Sequence, residues 1–377
     1  MSWVSWRPVA RDRTASARSG SPHQRRMTRK SGPFAAALAL TLALAVSSAA
    51  QQPARRWYRG NTHAHTLNSD GDSPPDVVVR WYRQHGYHFT FITDHEYVTD
   101  VAPLNALFGA PGRFLVMAGQ EVTQRIADPA HASGVREAHV NALGVTRVIR
   151  PLGERNIAPP PMAATYARNL AEIRRAGAVP QVNHPNFRWS VPLAELLDLP
   201  DSTLLEIANA HTGVNNLGGA DSSGRWMPST EALWDSLLTR GKLIFGVADD
   251  DSHSFRPEGA EDPDLTRPGR AWVMVRADTL TAEAILRALG RGDFYSSTGV
   301  TLRDYRADAQ EIQLEIAPSG DRRFVIEFIG SGGRVLATAT GHRARYQITG
   351  SEGYVRARVT DSHGRRAWMQ PVMLRSR

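Results

Sequence analysis

The sequence predicts an α/β protein that gives way, near residue 300, to a small C-terminal β-sandwich. Three observations carry that expectation. From about 56 to 300, short β-branched or aromatic runs alternate with helical patterns, as parallel βαβ units do. Beyond 301 the helical period is gone, and short strand patterns are separated by Gly- and Ser-rich turns. The chain of 377 residues is 41% hydrophobic and 22% charged, which suits a globular protein with a sizeable core.

Residues 1–50 stand apart from both textures. Arg7, Arg11, Arg13, Arg18, Arg25, Arg26, Arg29 and Lys30 face a single acid, Asp12, a net +7. The whole chain is +8, so residues 51–377 are left with +1, and duplex nucleic acid is not an expected partner. The apolar run Phe34–Val46 follows Arg29-Lys30 and precedes Ser48-Ala49-Ala50. That order predicts a signal peptide cleaved near Ala50 and a secreted or periplasmic mature chain, with no further membrane contact. Met27 offers an alternative start, which would make 1–26 dispensable.

In the α/β part, strands are expected at 88–93, 113–118, 178–183, 204–208, 243–248 and 271–276. Helices are expected at 75–84, 162–176, 191–197 and 230–240, where apolar residues recur at i, i+3 and i+4. The stretch Gln124–Glu137 and the Pro-rich stretch Arg256–Pro268 read as loops. In the sandwich, strands are expected at 310–316, 324–328, 335–339, 344–348, 354–359 and 367–374. The predicted domains are therefore 51–300 and 301–377.

Cysteine is absent. Disulfide frameworks, thiolate zinc sites, Fe–S clusters and cysteine nucleophiles are excluded, leaving His, Asp and Glu for any metal. No GxSxG elbow is present either. What remains is a set of acids and imidazoles at successive strand ends: His63 and His65, with Asp70 five residues on; His95; Glu121; His139; His184; and Asp251 with His253. In parallel α/β folds the carboxyl ends of strands converge on the site, although these residues span some 190 positions. The His-x-His and Asp-x-His spacings add a local reason. Residues i and i+2 of an extended segment point the same way and can chelate one ion. Nine such groups are hard to explain as structure alone, because buried carboxylates and imidazoles cost several kcal/mol unless paired or coordinated.

HAH with a following Asp, TDH, a strand-end Glu, a lone His, NHP and DxH together resemble the motifs of the PHP (polymerase and histidinol phosphatase) family. Order and spacing are similar to its secreted branch of metallohydrolases named after carbaryl hydrolase. The resemblance covers about 56–300, and Tyr354–Pro371 looks like that branch's β-rich C-terminal domain. It implies a distorted, TIM-like (β/α)7 barrel with two or three divalent ions, zinc, manganese or iron. By the same resemblance, His63, His65, Glu121 and Asp251 hold the first ion. Glu121 bridges to a second, held also by His139 and His184, and Asp70, His95 and His253 hold a third.

A water shared by two such cations has its pKa lowered from 15.7 towards about 7, so hydroxide is available at neutral pH without a protein nucleophile. The expected function is a metal-dependent hydrolase of small-molecule esters. Phosphate esters are favoured, because a polynuclear cation site suits a phosphoryl group. Carboxyl or carbamate esters are the alternative, and a non-enzymatic metal- or glycan-binding envelope protein is a third class. Asp251, His211 and Arg188 are the candidate catalytic residues. His211 is a substrate binder or proton donor, and Arg188 a clamp for a substrate oxyanion. Asp249 and Asp250 are candidates to orient the ligand histidines, and His131 is a candidate lid residue. His85, His88, His342 and His363 are expected to be structural or solvated.

Overall fold

The computed structural model describes residues 55–151, 161–256 and 266–374. The predicted signal peptide and most of the predicted loop Arg256–Pro268 lie outside the described residues.

The α/β part begins with β1 (Arg56–Asn61), α1 (Pro75–Gln84), β2 (Phe89–Ile92), α2 (Ala102–Phe108) and β3 (Leu115–Ala118). A hairpin of β4 (Glu121–Ala127) and β5 (Val135–Leu143) follows, then α3 (Met162–Arg175), β6 (Val179–Val182), α4 (Leu193–Leu196) and β7 (Thr203–Asn209). The short pair β8 (Gly219–Ala220) and β9 (Trp226–Met227) precedes α5 (Thr230–Thr239) and β10 (Ile244–Asp249). Next come β11 (Trp272–Ala277), α6 (Ala282–Arg291) and β12 (Phe294–Ser297). The rest is strand: β13 (Leu302–Ala307), β14 (Glu311–Ile316), β15 (Phe324–Gly330), β16 (Arg334–Thr340), β17 (Arg343–Gln347), β18 (Tyr354–Asp361), β19 (Arg366–Met369) and β20 (Val372–Met373).

Local chemistry accounts for the helix bounds. Pro75 and Asp76 occupy the first turn of α1, where a missing N–H costs nothing and a carboxylate meets the positive end of the dipole. The same helix buries Val78, Val79 and Tyr82. Ser229 and Thr281 cap α5 and α6 by accepting from the amides of Ala232 and Ala284. Gly292 closes α6 at φ 74°, a conformation that favours glycine.

The strands form two main sheets. One runs β16-β15-β18-β19-β12-β11-β1-β2-β3, and the other β10-β7-β6-β5-β4. Parallel pairing holds for β1–β2–β3 and for β6–β7–β10, whereas β1–β11 and β4–β5–β6 are antiparallel. The architecture is therefore mixed α/β, and it departs from expectation in three places.

First, the sheets do not close into a barrel. They meet through isolated bridges, Ala64 with Ser252 and His95 with Glu121. The free edge of β10 is occupied by side chains instead of a strand. Gln370 accepts from the Gly246 amide at 2.9 Å and donates to the Gly246 carbonyl at 2.8 Å, while Ser296 Oγ accepts from the Ala248 amide at 3.0 Å. An edge already satisfied has no need of a ladder partner.

Second, Gln124–Glu137 is mostly hairpin and not loop. Val122, Gln124 and Ile126 are buried in alternation along β4, the period of a strand with one covered face. Third, the strands beyond 301 do not form a self-contained sandwich. β15, β16, β18 and β19 extend the sheet that holds β1, and β12 pairs with β19 through Tyr295–Met369, Ser296–Trp368 and Ser297–Ala367. A separate sheet, β13-β14-β17, shares a core with them: Ile312, Leu314 and Ile316 join Phe324, Ile326, Phe328, Val355 and Val359.

Candidate metal centre

The two dipeptide spacings align side by side. Directly after β1 and β10, Ala64 pairs in parallel with Ser252, and the His65 amide donates to the Ser252 carbonyl at 2.9 Å. Ala64 and Ser252 are buried on one side of this ribbon, so His63, His65, Asp251 and His253 gather on the other. The second bridge does the same for the next ends, bringing His95 beside Glu121. His139 comes from β5 and His184 from the turn after β6. All nine sequence-derived candidates thus belong to one cluster; eight line a cleft of about 690 Å³, and the fully buried His63 does not.

Glu121 is the centre of it. Its Oε2 lies 3.2 Å from His63 Nε2, 3.3 Å from His65 Nε2 and 3.3 Å from His95 Nδ1. Its Oε1 faces the other way, 3.0 Å from His139 Nδ1 and 3.3 Å from His184 Nε2. Asp251 Oδ1 is 3.2 Å from both His63 Nε2 and His65 Nε2. Asp70, the exposed member, sits 3.2 Å from His65, 3.5 Å from His95 and 3.5 Å from His253.

These residues fit a cation better than they fit one another. His63 Nε2 and His65 Nε2 point at each other across 3.0 Å, and two imidazole lone pairs repel unless a positive charge lies between them. Asp251 Oδ1 and both ring nitrogens of His139 are buried without a hydrogen-bond partner. An unmade bond of that kind is costly in a native interior and ordinary in a ligand awaiting its metal. Among the described residues, triads able to hold an ion include His63–His65–Asp251, His63–Glu121–His184, His65–His95–Glu121 and His65–Asp70–His253.

The electrostatics agree. Burial works against a charged His63, but Asp251, Glu121 and Glu206 outweigh it and hold its pKa well above the usual imidazole value. His65 is raised well above that value in the same manner, and His95 and His184 are raised too. Glu121 and Asp251 are driven well below the ordinary carboxylate range, burial being overcome chiefly by His63. Without metal, protons on the imidazoles supply the positive charge that these carboxylates demand. Burial, helped by the nearby His184 and His95, pulls His139 down against the opposing Glu121, which favours its neutral form.

Two of the candidate ligands also sit in uncommon backbone. His184 has φ 22° and Asp251 φ 46°, and such strain gathers where side chains must be aimed.

A further set of residues holds the ligands in place, and the motif reading did not single them out. Glu206, fully buried in β7, accepts from His63 Nδ1 at 2.7 Å, Gln181 at 3.0 Å, the His184 amide at 2.7 Å and Asn209 at 2.8 Å. Fixing Nδ1–H turns the Nε2 lone pair of His63 towards the cluster. Asn183 donates to Glu121 Oε1 at 2.8 Å, and Asn209 to Asp251 Oδ2 at 3.0 Å. The available signal was one polar residue inside an apolar strand, as in Leu204–Ala208.

The weaker candidates divide. Asp249 accepts from Thr62 and Gln181 behind His63, and burial beside Glu206 pushes its carboxyl well up. Asp250 touches no histidine. It accepts from Tyr82 and from the amides of Gly269, Arg270 and Ala271, so it pins the segment before β11, and its expected role in orienting ligands is corrected. His211 and Arg188 both line the cleft. Burial lowers the pKa of His211, whose Nδ1 accepts from the Gly213 amide at 2.9 Å. Arg188 lies mostly in solvent, 3.8 Å from Glu137, with its guanidinium 5.0 Å from the Phe187 ring. His131, at the tip of the β4–β5 hairpin, meets the Arg188 carbonyl at 2.8 Å. His85 stacks on Trp81, His88 Nδ1 accepts from the Arg59 amide, and His342 packs edge-on to Phe324. His363 sits in the turn between β18 and β19.

No family model matches the chain, and no curated protein matches it. Solved structures do. A two-domain protein from Bacteroides vulgatus containing a predicted PHP-like metal-dependent phosphoesterase is 16% identical at a TM-score of 0.44, covering 81% of this chain and 90% of that one. An amidohydrolase from Chromobacterium violaceum, with bound sulfate and no metal, is 13% identical at a TM-score of 0.33, covering 55% and 90%. Likeness at this level carries no weight for chemistry, which rests on the side chains described above. Among the described residues, no helix is long and apolar enough to cross a membrane.

Proposed function

We propose that the chain is a metal-dependent hydrolase of phosphate esters, working at a di- or trinuclear centre. The observation that carries the reading is Glu121, whose two oxygens face two separate groups of histidines. In this reading His63, His65 and Asp251 hold one ion, and His139 and His184 a second, with Glu121 shared. Asp70, His95 and His253 hold a third. Divalent ions so held supply Lewis acidity and acidify water.

The chain's own residues do the rest. Arg125 and Arg188 line the mouth of the cleft and bind the ester's anionic oxygens, which guanidinium groups do in bidentate fashion. His211 is kept neutral by burial, and with Nδ1 accepting from the Gly213 amide its Nε2–H donates towards the leaving group. Two arginines against one aromatic lining residue, Phe187, favour phosphate over an aryl carbamate.

The test compares p-nitrophenyl phosphate, p-nitrophenyl acetate and an aryl carbamate, with manganese- or zinc-loaded protein and His184→Ala as blank. Metal-dependent phosphate release is expected. Release from the acyl esters alone would replace the reading with a carbamate-type hydrolase, and silence on all three with metal bound would point to a binding protein.

A further inference from the structure

Glu137 stands one rung outward from the metal cluster. In the β4–β5 ladder Thr123 pairs with His139 and Arg125 with Glu137, and side chains two residues apart on a strand share a face. Thr123, Arg125, Glu137 and His139 accordingly all line the cleft. Glu137 is nevertheless only 8% exposed, a setting in which a carboxylate is costly unless it is paired.

The two arginines beside it do not account for that burial. Oε1 lies 3.2 Å from Arg125 Nε and 3.8 Å from Arg188 Nη1, but those side chains are 76% and 57% exposed. Ion pairs to guanidinium groups so well solvated contribute little. The other oxygen, Oε2, lies 3.9 Å from His139 Nε2, a nitrogen that is buried and has no hydrogen-bond partner. An acceptor and a ring nitrogen, both withdrawn from water, thus sit opposite each other, about 1 Å beyond hydrogen-bonding distance.

Coordination gives that pair its purpose. His139 Nδ1 is on the side of the cluster, 3.0 Å from Glu121 Oε1. An imidazole that ligates through Nδ1 carries its proton on Nε2, and ligating histidines regularly give that N–H to a carboxylate, a carbonyl or water. Glu206 already takes this part for His63, at 2.7 Å from Nδ1. For Nε2 of His139, Glu137 is the matching acid.

We propose that Glu137 is a positioning residue, its Oε2 accepting the Nε2–H of His139 when Nδ1 holds the second ion. The bond fixes the ring and its tautomer, and so aims the Nδ1 lone pair at the metal. This inference rests on the metal reading above and needs no ester.

The test uses the full chain loaded with zinc, as parent, Glu137→Gln and Glu137→Ala. Competition against a chromophoric chelator is expected to show one zinc held about 10-fold more weakly in Glu137→Gln and about 100-fold in Glu137→Ala, the others unchanged. The ring N–H resonance of His139 is assigned as the one missing from a His139→Gln spectrum. In the loaded parent it should be downfield and protected from exchange; it should move upfield in Glu137→Gln and be lost to exchange in Glu137→Ala. A residue that merely packs the wall would lower the melting temperature and move neither readout. All zinc affinities within about twofold of the parent in both variants, with circular dichroism unchanged, overturn the proposal. So does a His139 proton that is the same in Glu137→Ala. A parent that takes up no zinc overturns the metal reading and this inference together, whereas a parent that holds zinc and is matched by both variants overturns this inference alone.

Discussion

Replacing Glu206 by Gln probes the cluster from behind without replacing any of the nine candidate ligands. Four donors converge on this carboxylate: His63 Nδ1 and Gln181 on Oε1, the His184 amide and Asn209 on Oε2. Gln keeps one oxygen and sets an NH2 group against the remaining two donors, so two of the four hydrogen bonds are lost whichever way it turns. Each is a charge-assisted bond of about 1.5–3 kcal/mol. The cost falls on His63 or on His184, both candidate ligands, and loss of such a supporting carboxylate typically weakens metal binding by about 10–100-fold. That corresponds to about 1.4–2.8 kcal/mol. One effect opposes it: Glu206 helps to raise the His63 pKa, so its removal lessens proton competition. Asp251 and Glu121 both act more strongly on His63, and the opposition is minor. The assay is competition for zinc against a chromophoric chelator, with a thermal melt in chelator to read the fold. Weaker zinc at unchanged stoichiometry is expected. Zinc affinity within about twofold of the parent, with the fold intact, would refute the orienting role.

Four further outcomes are expected. His184→Ala and Asp251→Ala should each lower turnover by more than about 100-fold with circular dichroism unchanged, and full activity in either would remove the metal centre from the chemistry. Metal loading near neutral pH should release protons, because His63, His65, His95 and His184 hold theirs above the ordinary 6.5, and apparent affinity should fall as pH falls. The same raised values stabilise the metal-free fold fully below 6.5 and are lost as pH rises through them. Melting of chelated protein should therefore drop as pH rises above 6.5, while loaded protein is spared. Calorimetry in buffers of different ionisation enthalpy checks the release. Finally, Arg356→Leu takes the buried guanidinium away from Asp235 and from Glu231, which keeps Arg358, and should cost about 3–5 kcal/mol in chemical denaturation. A loss under about 1 kcal/mol would show those acids to be solvated.

Residue type made the ligands legible. His, Asp and Glu at strand ends stand out because such groups have little business there, and the i, i+2 spacing survives in the Ala64–Ser252 ribbon. Helix α1 was readable at both ends because Pro75 and the Val78–Tyr82 stripe mark it. Glu206 was not, since one acid inside a five-residue apolar strand has no spacing to betray it. The β4–β5 hairpin read as loop because its exposed face is polar, and α6 with β12 went unseen although Ala284, Ile285, Ala288 and Leu289 repeat at helical spacing. Barrel closure failed for a reason no local pattern contains: Gln370 and Gly246 are 124 residues apart.

That last contact has a consequence for how the protein is made. β10 leads directly into Asp251, and its outer edge is finished by a side chain synthesised more than a hundred residues later. At about 5–20 residues per second, the growing chain carries β10 half-paired for several seconds. Most of the imidazoles are already present during that interval, but the strand that delivers Asp251 is still free to pair with a neighbouring polypeptide. Gln370 therefore works as a latch on a timer. Completion of the candidate metal cluster and protection of the β10 edge wait together on the emergence of Gln370.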